Sequence, residues 1–243
     1  MNETNKNIIA TAVGGIFLLI AVIIINTTLS DRNKDSQTIN VTGSAKMDIV
    51  SDLGILSATV SAQSSSPQEA YRQMKSQLNQ VLLYLEGKGF KKDVVTLSPA
   101  SSYDLYEISS NGYTTQNVIG RNYSQRFEIK SADVQLIKAI SLEIVSLIEK
   151  GVNVVTEQPR FIYTKLADVK IQVQADAARD AMDRANRVAG ATDRTLGELR
   201  NARMGVLQIT PKNSNQISDY GINDEYSIEK EITAVVNASF VIY

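Results

Sequence analysis

Several residue types that carry much of protein chemistry are missing from this chain. Its 243 residues include no histidine, no cysteine and no tryptophan. Without histidine the chain lacks the usual general base, a Ser-His-Asp triad and the commonest metal ligand. Without cysteine it has no disulfide, no thiolate metal site and no cysteine nucleophile. Carboxylates are therefore the main groups left for catalysis.

The chain also has almost no excess of charge of either sign. Lysine and arginine number 25 against 26 aspartates and glutamates, which gives a formal net charge of −1. Because basic residues are scattered among acidic ones, the chain lacks the positive field that nucleic-acid binding needs. Neither a phosphate-binding G-x-x-x-x-G-K-[ST] loop nor a G-x-G-x-x-G fingerprint is present. We expect no nucleic-acid partner, no metal and no cofactor.

One uncharged apolar run stands near the start of the chain, over residues 8–25. At ~1.5 Å per residue, about 18 helical residues extend roughly 27 Å, close to the thickness of a bilayer core. We expect a single-pass membrane anchor over residues 8–29, after a tail of residues 1–7. Its apolar residues include Ile8, Ile16, Phe17, Leu18, Leu19 and Ile25.

A cleaved signal peptide is the alternative for this segment. Such a peptide has a shorter apolar region and a small-residue cleavage site, and here only Thr28-Leu29-Ser30 loosely qualifies. Lys6 precedes the segment while Arg32 and Lys34 follow it, so the charges do not orient it. A polar stretch, residues 30–37, is typical of a linker.

The rest of the chain, residues 38–243, predicts an α+β body. The pattern indicates two paired strands in 38–62, then strands in 92–107, 113–130, 152–164, 196–210 and 226–243. Helices are expected from Pro67 towards Gly87, over 132–150, and from Leu166 to Ala189. This mixed order favours mainly antiparallel sheets with packed helices. We expect two βα-type lobes: residues 38–130 with the C-terminal strands, and residues 131–210.

The three helices carry more specific expectations. Ser66 should cap the first helix, with Glu69 bonding back to it, and Ser131 should cap the second. Apolar residues nearly encircle the second helix, which indicates burial on more than one side, between subdomains or between subunits. The third helix bears an alanine stripe that would allow a close neighbour. Its charged pairs, Asp180 with Arg184 and Asp183 with Arg187, are interpreted as surface contacts.

A hairpin in the middle of the body is the main candidate interaction surface. Ser109-Ser110-Asn111-Gly112 carries the Asn-Gly signal of a tight turn between two long strands. The candidate residues near it are Tyr103, Tyr106, Tyr113, Tyr123 and Arg121. The tyrosines fit either cross-strand packing within the sheet or contact with a ligand or protein.

Several stretches of the body resemble the SIMPL-domain family, bacterial envelope proteins of mostly unknown function, some linked to oxidative-stress defence. The resemblance lies in residues 39–45, 65–70 and 88–96, in Ser98-Pro99, around Gly120, in residues 149–153 and in the alanine-rich helix. Relatives often carry tyrosine after the matching glycine, where this chain has Arg121. The resemblance implies two lobes, self-assembly and an extracytoplasmic body, and thereby a single-pass protein of the bacterial inner membrane facing the periplasm.

Three functions remain open on the sequence. The first is an anchored, self-assembling envelope scaffold, a homo-oligomeric ring or cage that is not an enzyme and has a possible role in stress. The second is a binding module whose tyrosine-bearing hairpin or inter-lobe groove takes a peptide, lipid or envelope protein. The third is a hydrolase using carboxylates such as Asp224, Glu225, Glu229 and Glu231, although a solvated acidic loop is the simpler interpretation.

Overall fold

The computed structural model describes residue 20, residues 22–24 and residues 37–243. The predicted anchor therefore lies almost wholly outside the described residues. No helix within the described part of the chain is long and apolar enough to cross a membrane.

Residues 37–243 form an α+β body with two mainly antiparallel sheets and helices packed on them, as predicted for this part of the chain. The strands are β1 (Thr38–Val50), β2 (Leu53–Ser64), β3 (Thr96–Leu97), β4 (Ser101–Ile108), β5 (Thr114–Ser131), β6 (Val154–Thr156), β7 (Arg160–Ile162), β8 (Leu196–Met204), β9 (Gln208–Pro211), β10 (Ile222–Asn223) and β11 (Glu229–Ile242). The helices are α1 (Pro67–Gly87), α2 (Val134–Glu143) and α3 (Leu166–Ala191), with 3₁₀ turns at Lys92–Val94 and Ile144–Lys150.

One sheet joins the two ends of the body and forms what we call the terminal lobe. Its five strands are β1, β11, β8, β9 and β10, with β11 between β1 on one side and both β8 and β9 on the other. The β9–β10 pair is parallel and the others are antiparallel. Helix α3 packs on β1 and β11. The core of the terminal lobe includes Val173, Ala177, Ala181, Ile232 and Val236.

The other sheet is built from a continuous stretch of chain, and we call it the central lobe. Its six strands are β2 to β7, with β5 pairing β2, β3 and β4, and β2 pairing β6 and β7. Helices α1 and α2 cover this sheet. Its core includes the fully buried side chains of Leu56, Phe127, Val81, Leu85 and Ile137.

The lobes do not divide the chain where the sequence placed the boundary. The chain passes between lobes at Ser51 and Asp52 and again at residues 163–165, instead of near residue 131. The cause is the pairing of β1 with β11 along its whole length, which places the first strand beside the last. Long-range strand pairing of this kind leaves no periodic signal in the sequence.

The same pairing corrects the expectation that residues 38–62 hold two paired strands. Both strands exist, but β1 belongs to the terminal lobe and β2 to the central lobe. Only Ser51 and Asp52 separate them, and there the chain crosses from one sheet to the other instead of turning back. The Asp52 carboxylate instead accepts hydrogen bonds from the Thr164 amide at 2.7 Å and the Thr164 hydroxyl at 2.8 Å. This contact ties the two crossing segments together.

The first and third helices follow the predicted bounds closely, whereas the helix expected over 132–150 is α-helical only from Val134 to Glu143 and 3₁₀ from Ile144 to Lys150. Two predicted caps are wrong. The Ser66 side chain makes no cap bond to α1, because its hydroxyl donates to Gln68 Oε1 at 3.1 Å. Glu69 pairs with Arg72 at 2.5 Å instead of bonding back to the cap. Asp133, not Ser131, caps α2 by accepting from the Leu136 amide at 2.9 Å.

Burial of the segment from α2 to Lys150 is one-sided within residues 37–243. Ile137, Ile140 and Ile144 are 0% exposed, whereas Leu142 is 75% and Ile148 52% exposed. Burial between the two lobes, one of the two expected explanations for its apolar character, is therefore not what the structure shows. A subunit contact stays a prediction.

Candidate interaction surface

The ends of β4 and β5 project beyond β2 as a two-stranded ribbon, residues 105–120, which we call the arm. Strand β5 pairs with β2 only from Arg121 onward, and residues 114–120 pair with β4 alone. At the tip Gly112 has φ +81°, which glycine adopts without strain. The Ser109 amide donates to Tyr113 O at 2.8 Å. The predicted Asn-Gly turn is thus present.

Large apolar side chains on the arm, and Tyr103 just before it on β4, face solvent. Exposure is 60% for Tyr103, 45% for Tyr106 and 76% for Tyr113. Three aliphatic residues join them, Ile108 at 69%, Val118 at 50% and Ile119 at 54%. Tyr106 lies directly opposite Val118 in the ladder, so their side chains share one face. These six residues, the arm cluster, have too little protein around them to be a core.

Two of the five predicted residues instead fasten the arm to the body. Tyr123 is half-buried and meets Tyr71 of α1 edge to face, with ring centres 5.5 Å apart and planes at 73°. Arg121 Nε donates to Asp104 Oδ1 at 2.6 Å across the β5–β4 pair. That hydrogen bond, with the charge of Asp104, raises the pKa of Arg121. Both contacts hold the root of the arm in place.

The root is also held by a close backbone approach. A Cβ placed on Gly120 would lie 2.7 Å from the carbonyl oxygen of Ser64, at the end of β2. Any larger residue there would push the arm away from the sheet. Gly120 therefore has a structural reason in this chain, and Arg121 beside it makes the cross-strand ion pair.

Sequence reasoning found the tyrosines and missed the aliphatic half of the arm cluster. Ile108, Val118 and Ile119 fall in or beside predicted strands whose apolar residues were expected to face a core. The available signal was local: Val118 and Ile119 are adjacent, so one of them must leave the buried face of an alternating strand. Register shifts beside Tyr106 confirm a departure from regular pairing there.

A second candidate is a cavity of 90 Å³ where the two lobes meet, lined in part by Asp224, Glu225 and Lys230. Lys230 is 3% exposed, and its ammonium donates to the carbonyl of Phe161 at 2.6 Å and to that of Asp224. Burial lowers the pKa of Lys230, against the charges of Asp224 and Glu225. Asp224 Oδ1 accepts from the Tyr226 amide at 2.9 Å, while Oδ2 is buried without a partner.

Of the four acidic residues singled out in the sequence, Asp224 and Glu225 line this cavity, while Glu229 and Glu231 do not. Glu231 pairs with Lys46 at 2.7 Å, and Glu225 lies 3.7 Å from Arg160. Among residues 37–243 no group of three acidic side chains is placed to hold a metal ion. The cavity is small, and Lys230 is already bonded to two main-chain carbonyls. The bond to the Phe161 carbonyl connects the two lobes.

Comparison with known proteins gives one family. The model of the SIMPL family, described as a protein of unknown function (DUF541), matches residues 39–240. None of the curated proteins compared with this chain matches it.

Two solved structures show weak likeness. A putative aminohydrolase from methicillin-resistant Staphylococcus aureus has 13% identity and a TM-score of 0.25, covering 52% of this chain and 32% of that one. A putative amidohydrolase/peptidase from Burkholderia cenocepacia has 14% identity and a TM-score of 0.21, covering 58% and 35%. This chain thus spans about a third of either protein, and overlaps this poor carry no argument about activity.

Proposed function

This chain belongs to the SIMPL family, and from its exposed arm we propose that it is a membrane-anchored envelope protein that assembles with copies of itself. In this proposal residues 8–29 anchor it in the bacterial inner membrane, with the body on the periplasmic side. In the same proposal the assembled copies form a ring or cage with a stress-related scaffolding role, and the protein is not an enzyme and uses no cofactor.

The observation that carries the proposal is the arm cluster. A two-stranded ribbon on its own is marginally stable in water. Contiguous apolar surface on a protein commonly marks a contact with another protein or a membrane. Covering such side chains returns about 25 cal/mol for each Å² of apolar area removed from water. The arm therefore gains stability when a neighbour covers it.

The anchor adds a second reason for self-association. Copies held in one membrane share a plane, which raises their effective concentration. A contact too weak to assemble free protein can then produce closed rings, since identical head-to-tail contacts close when the rotation between copies allows it. Modest burial by each arm is enough under this arrangement.

The alternative function is that of a binding module. Tyr103, Tyr106 and Tyr113 each present an aromatic ring and a hydroxyl to solvent, and tyrosine is enriched in protein interfaces. In this version the arm takes an envelope peptide, lipid or protein instead of a second copy. The two functions differ in whether the purified protein associates with itself.

Mass measurement of the detergent-solubilised protein tests the scaffold. We expect the wild type to be oligomeric at micromolar concentration and Tyr106→Ser with Tyr113→Ser to shift it towards monomer. Tyr220→Ser is the matched control, because Tyr220 is 96% exposed but lies outside the arm. A strictly monomeric wild type sinks self-assembly. An oligomer unchanged by the double variant, with loss of a co-purified envelope partner, favours the binding module.

Location is tested separately with protease added outside intact spheroplasts. The body should be degraded while a cytoplasmic marker survives, and full-length protein should remain in the membrane fraction after washing. Protection of the body until detergent is added would place it on the cytoplasmic side and contradict the proposal.

A further inference from the structure

Strand β1 lies at the rim of the terminal sheet, with one long edge unpaired by any strand among residues 37–243. It pairs with β11 from Thr38 to Val50 with no register shift. The Ile242 amide donates to Gln37 O at 3.1 Å, so odd-numbered residues of β1 bond to β11. The even-numbered residues therefore point their amide and carbonyl groups away from the sheet.

This outer edge has few of the features that protect natural edge strands, apart from the charged side chain of Lys46. Natural edge strands are commonly short, bulged or interrupted by proline, which prevents pairing with other chains. Strand β1 has 13 residues, with neither bulge nor proline. Strand β4, by contrast, is a rim strand with register shifts. Within residues 37–243 the one side chain bonded to the β1 outer edge is Asp180, which accepts from the Ser44 amide at 2.8 Å.

The chemistry of this edge selects its occupant. Alternating amides and carbonyls at the strand spacing are matched by another extended backbone. Lys46 and Asp48 are both even-numbered, so their amide and carbonyl groups point to the unpaired edge. If two copies of β1 run antiparallel about a two-fold axis at Met47, Lys46 of each copy lies opposite Asp48 of the other. Within each copy Lys46 already pairs with Glu231 at 2.7 Å and Asp48 with Lys212 at 2.8 Å, so this register extends both pairs into ion networks across the contact. It also leaves the Ser44 amide with Asp180.

We propose that the outer edge of β1 pairs with β1 of a second copy, antiparallel and centred on Met47. The inference rests on the proposed self-assembly and assigns one of its contacts. It supplies a two-fold contact distinct from the arm, and a cage needs two different contacts. The Asp180 carboxylate limits the pairing to the half of β1 that follows Ser44.

The absence of cysteine provides a direct test in full-length protein. In the proposed register the two Met47 residues face each other as a non-hydrogen-bonded pair, with Cα atoms about 4.5 Å apart, within disulfide reach. Under mild oxidation Met47→Cys should give a disulfide-linked dimer in most of the protein. Asn40→Cys, exposed on the same strand, should not, because its counterpart in the second copy lies far away.

A proline variant tests the same contact through the backbone. Lys46→Pro removes an outward amide and leaves the odd-numbered bonds to β11. Lys46→Ala is the matched variant, because it loses the same side chain, with its ion pairs to Glu231 and to Asp48 of the second copy, but keeps the amide. In the Met47→Cys background, Lys46→Pro should reduce cross-linking at least about tenfold, as expected for lost strand pairing. Lys46→Ala should reduce it roughly two- to fivefold, the size of an exposed ion pair.

The outcomes separate the two proposals. A wild type that is oligomeric while Met47→Cys does not cross-link overturns the β1 contact and leaves self-assembly standing. Equal cross-linking of Asn40→Cys overturns the register. A monomeric wild type overturns the proposed function itself. Since Met47→Cys contains no proline, the test holds even if Lys46→Pro fails to fold.

Discussion

Lys230 shows at the residue scale how a buried charge is accommodated. It lies on β11 of the terminal lobe, yet its ammonium donates to Phe161 O of the central lobe at 2.6 Å. The nearby Ser51 amide donates to Ile228 O at 2.8 Å. Two carbonyls and nearby carboxylates compensate the lost hydration of the ammonium, but burial still lowers its pKa below the ordinary 10.5. The lysine therefore links the lobes at an electrostatic cost.

The pH dependence of stability follows from that lowered pKa. Between the folded pKa and 10.5 the unfolded chain holds more protons on this lysine than the folded chain does. The free energy of unfolding should therefore gain a contribution as pH rises through this window towards 10.5, and lose it below the folded pKa. Ordinary exposed lysines give no such gain.

Lys230→Met isolates this contribution. At neutral pH the variant should unfold about 1–3 kcal/mol more easily, because it leaves two carbonyls without donors. Urea titrations at about pH 7 and about pH 10 should show the wild type gaining stability relative to the variant at the higher pH. Lys212→Met, at a lysine that is paired with Asp48 on the surface, is the control. A difference that shrinks at high pH would contradict the assignment.

At the scale of elements, α3 lies almost directly on the backbone of β1. A Cβ on Gly43 would sit 2.7 Å from Ala181 Cα, and Ala177, Ala181 and Ala185 are each 0% exposed. The alanine stripe was predicted to admit a close neighbour, and this prediction is confirmed. Asp180 with Arg184 forms the expected ion pair at 2.7 Å. Asp180 also bonds to Ser44, which lowers its pKa, a link that sequence spacing does not reveal.

Gly43→Ala should be strongly destabilising. The added methyl group meets main-chain atoms of α3, which cannot rotate away, so helix or strand must shift. Overpacking of this kind costs about 1–3 kcal/mol, and rigid backbone neighbours favour the upper end. Chemical denaturation of the purified body measures this loss of stability.

Gly190, near the end of α3, should tolerate a larger residue. A methyl group added there would meet no atom within 4 Å, so Gly190→Ala should raise the free energy of unfolding by about 0.5–1 kcal/mol in the same denaturation measurement.

Elements were more predictable than their partners. Periodicity and a proline at the first turn located α1 from Pro67 to Gly87 as the structure has it. The single strand expected over 152–164 is two short strands, β6 and β7, separated by Pro159, which has no amide to donate. The cap of α2 moved from Ser131 to Asp133 because two neighbouring residues both had suitable side chains. The side-chain chemistry of neighbouring residues limits the candidates for a cap, but it does not show which of them makes the hydrogen bond.

At the scale of the whole molecule, strand order was the part the sequence did not contain. Alternating residues indicate that β1 has one buried face, but any amphipathic strand could have paired with it. The arm shows the same limit for the candidate site. Its turn and tyrosines were readable from Asn111-Gly112 and composition, while the solvent exposure of Ile108 and Val118 depends on where β2 ends. That end is a property of the sheet as a whole.

The pairing of Thr38 with Val241 has a consequence for synthesis on the ribosome. Strand β1 emerges early, and its partner β11 is among the last residues to be translated. The central lobe, a continuous stretch from Leu53 to Ile162, is complete well before then. Closing the long loop adds only about 0.6 kcal/mol for each doubling of its length. Strand β1 therefore stays without its partner strand until β11 has been translated. Helix α3 is translated before β11, and it is then the nearest native surface that can cover β1 against the strands of other nascent chains.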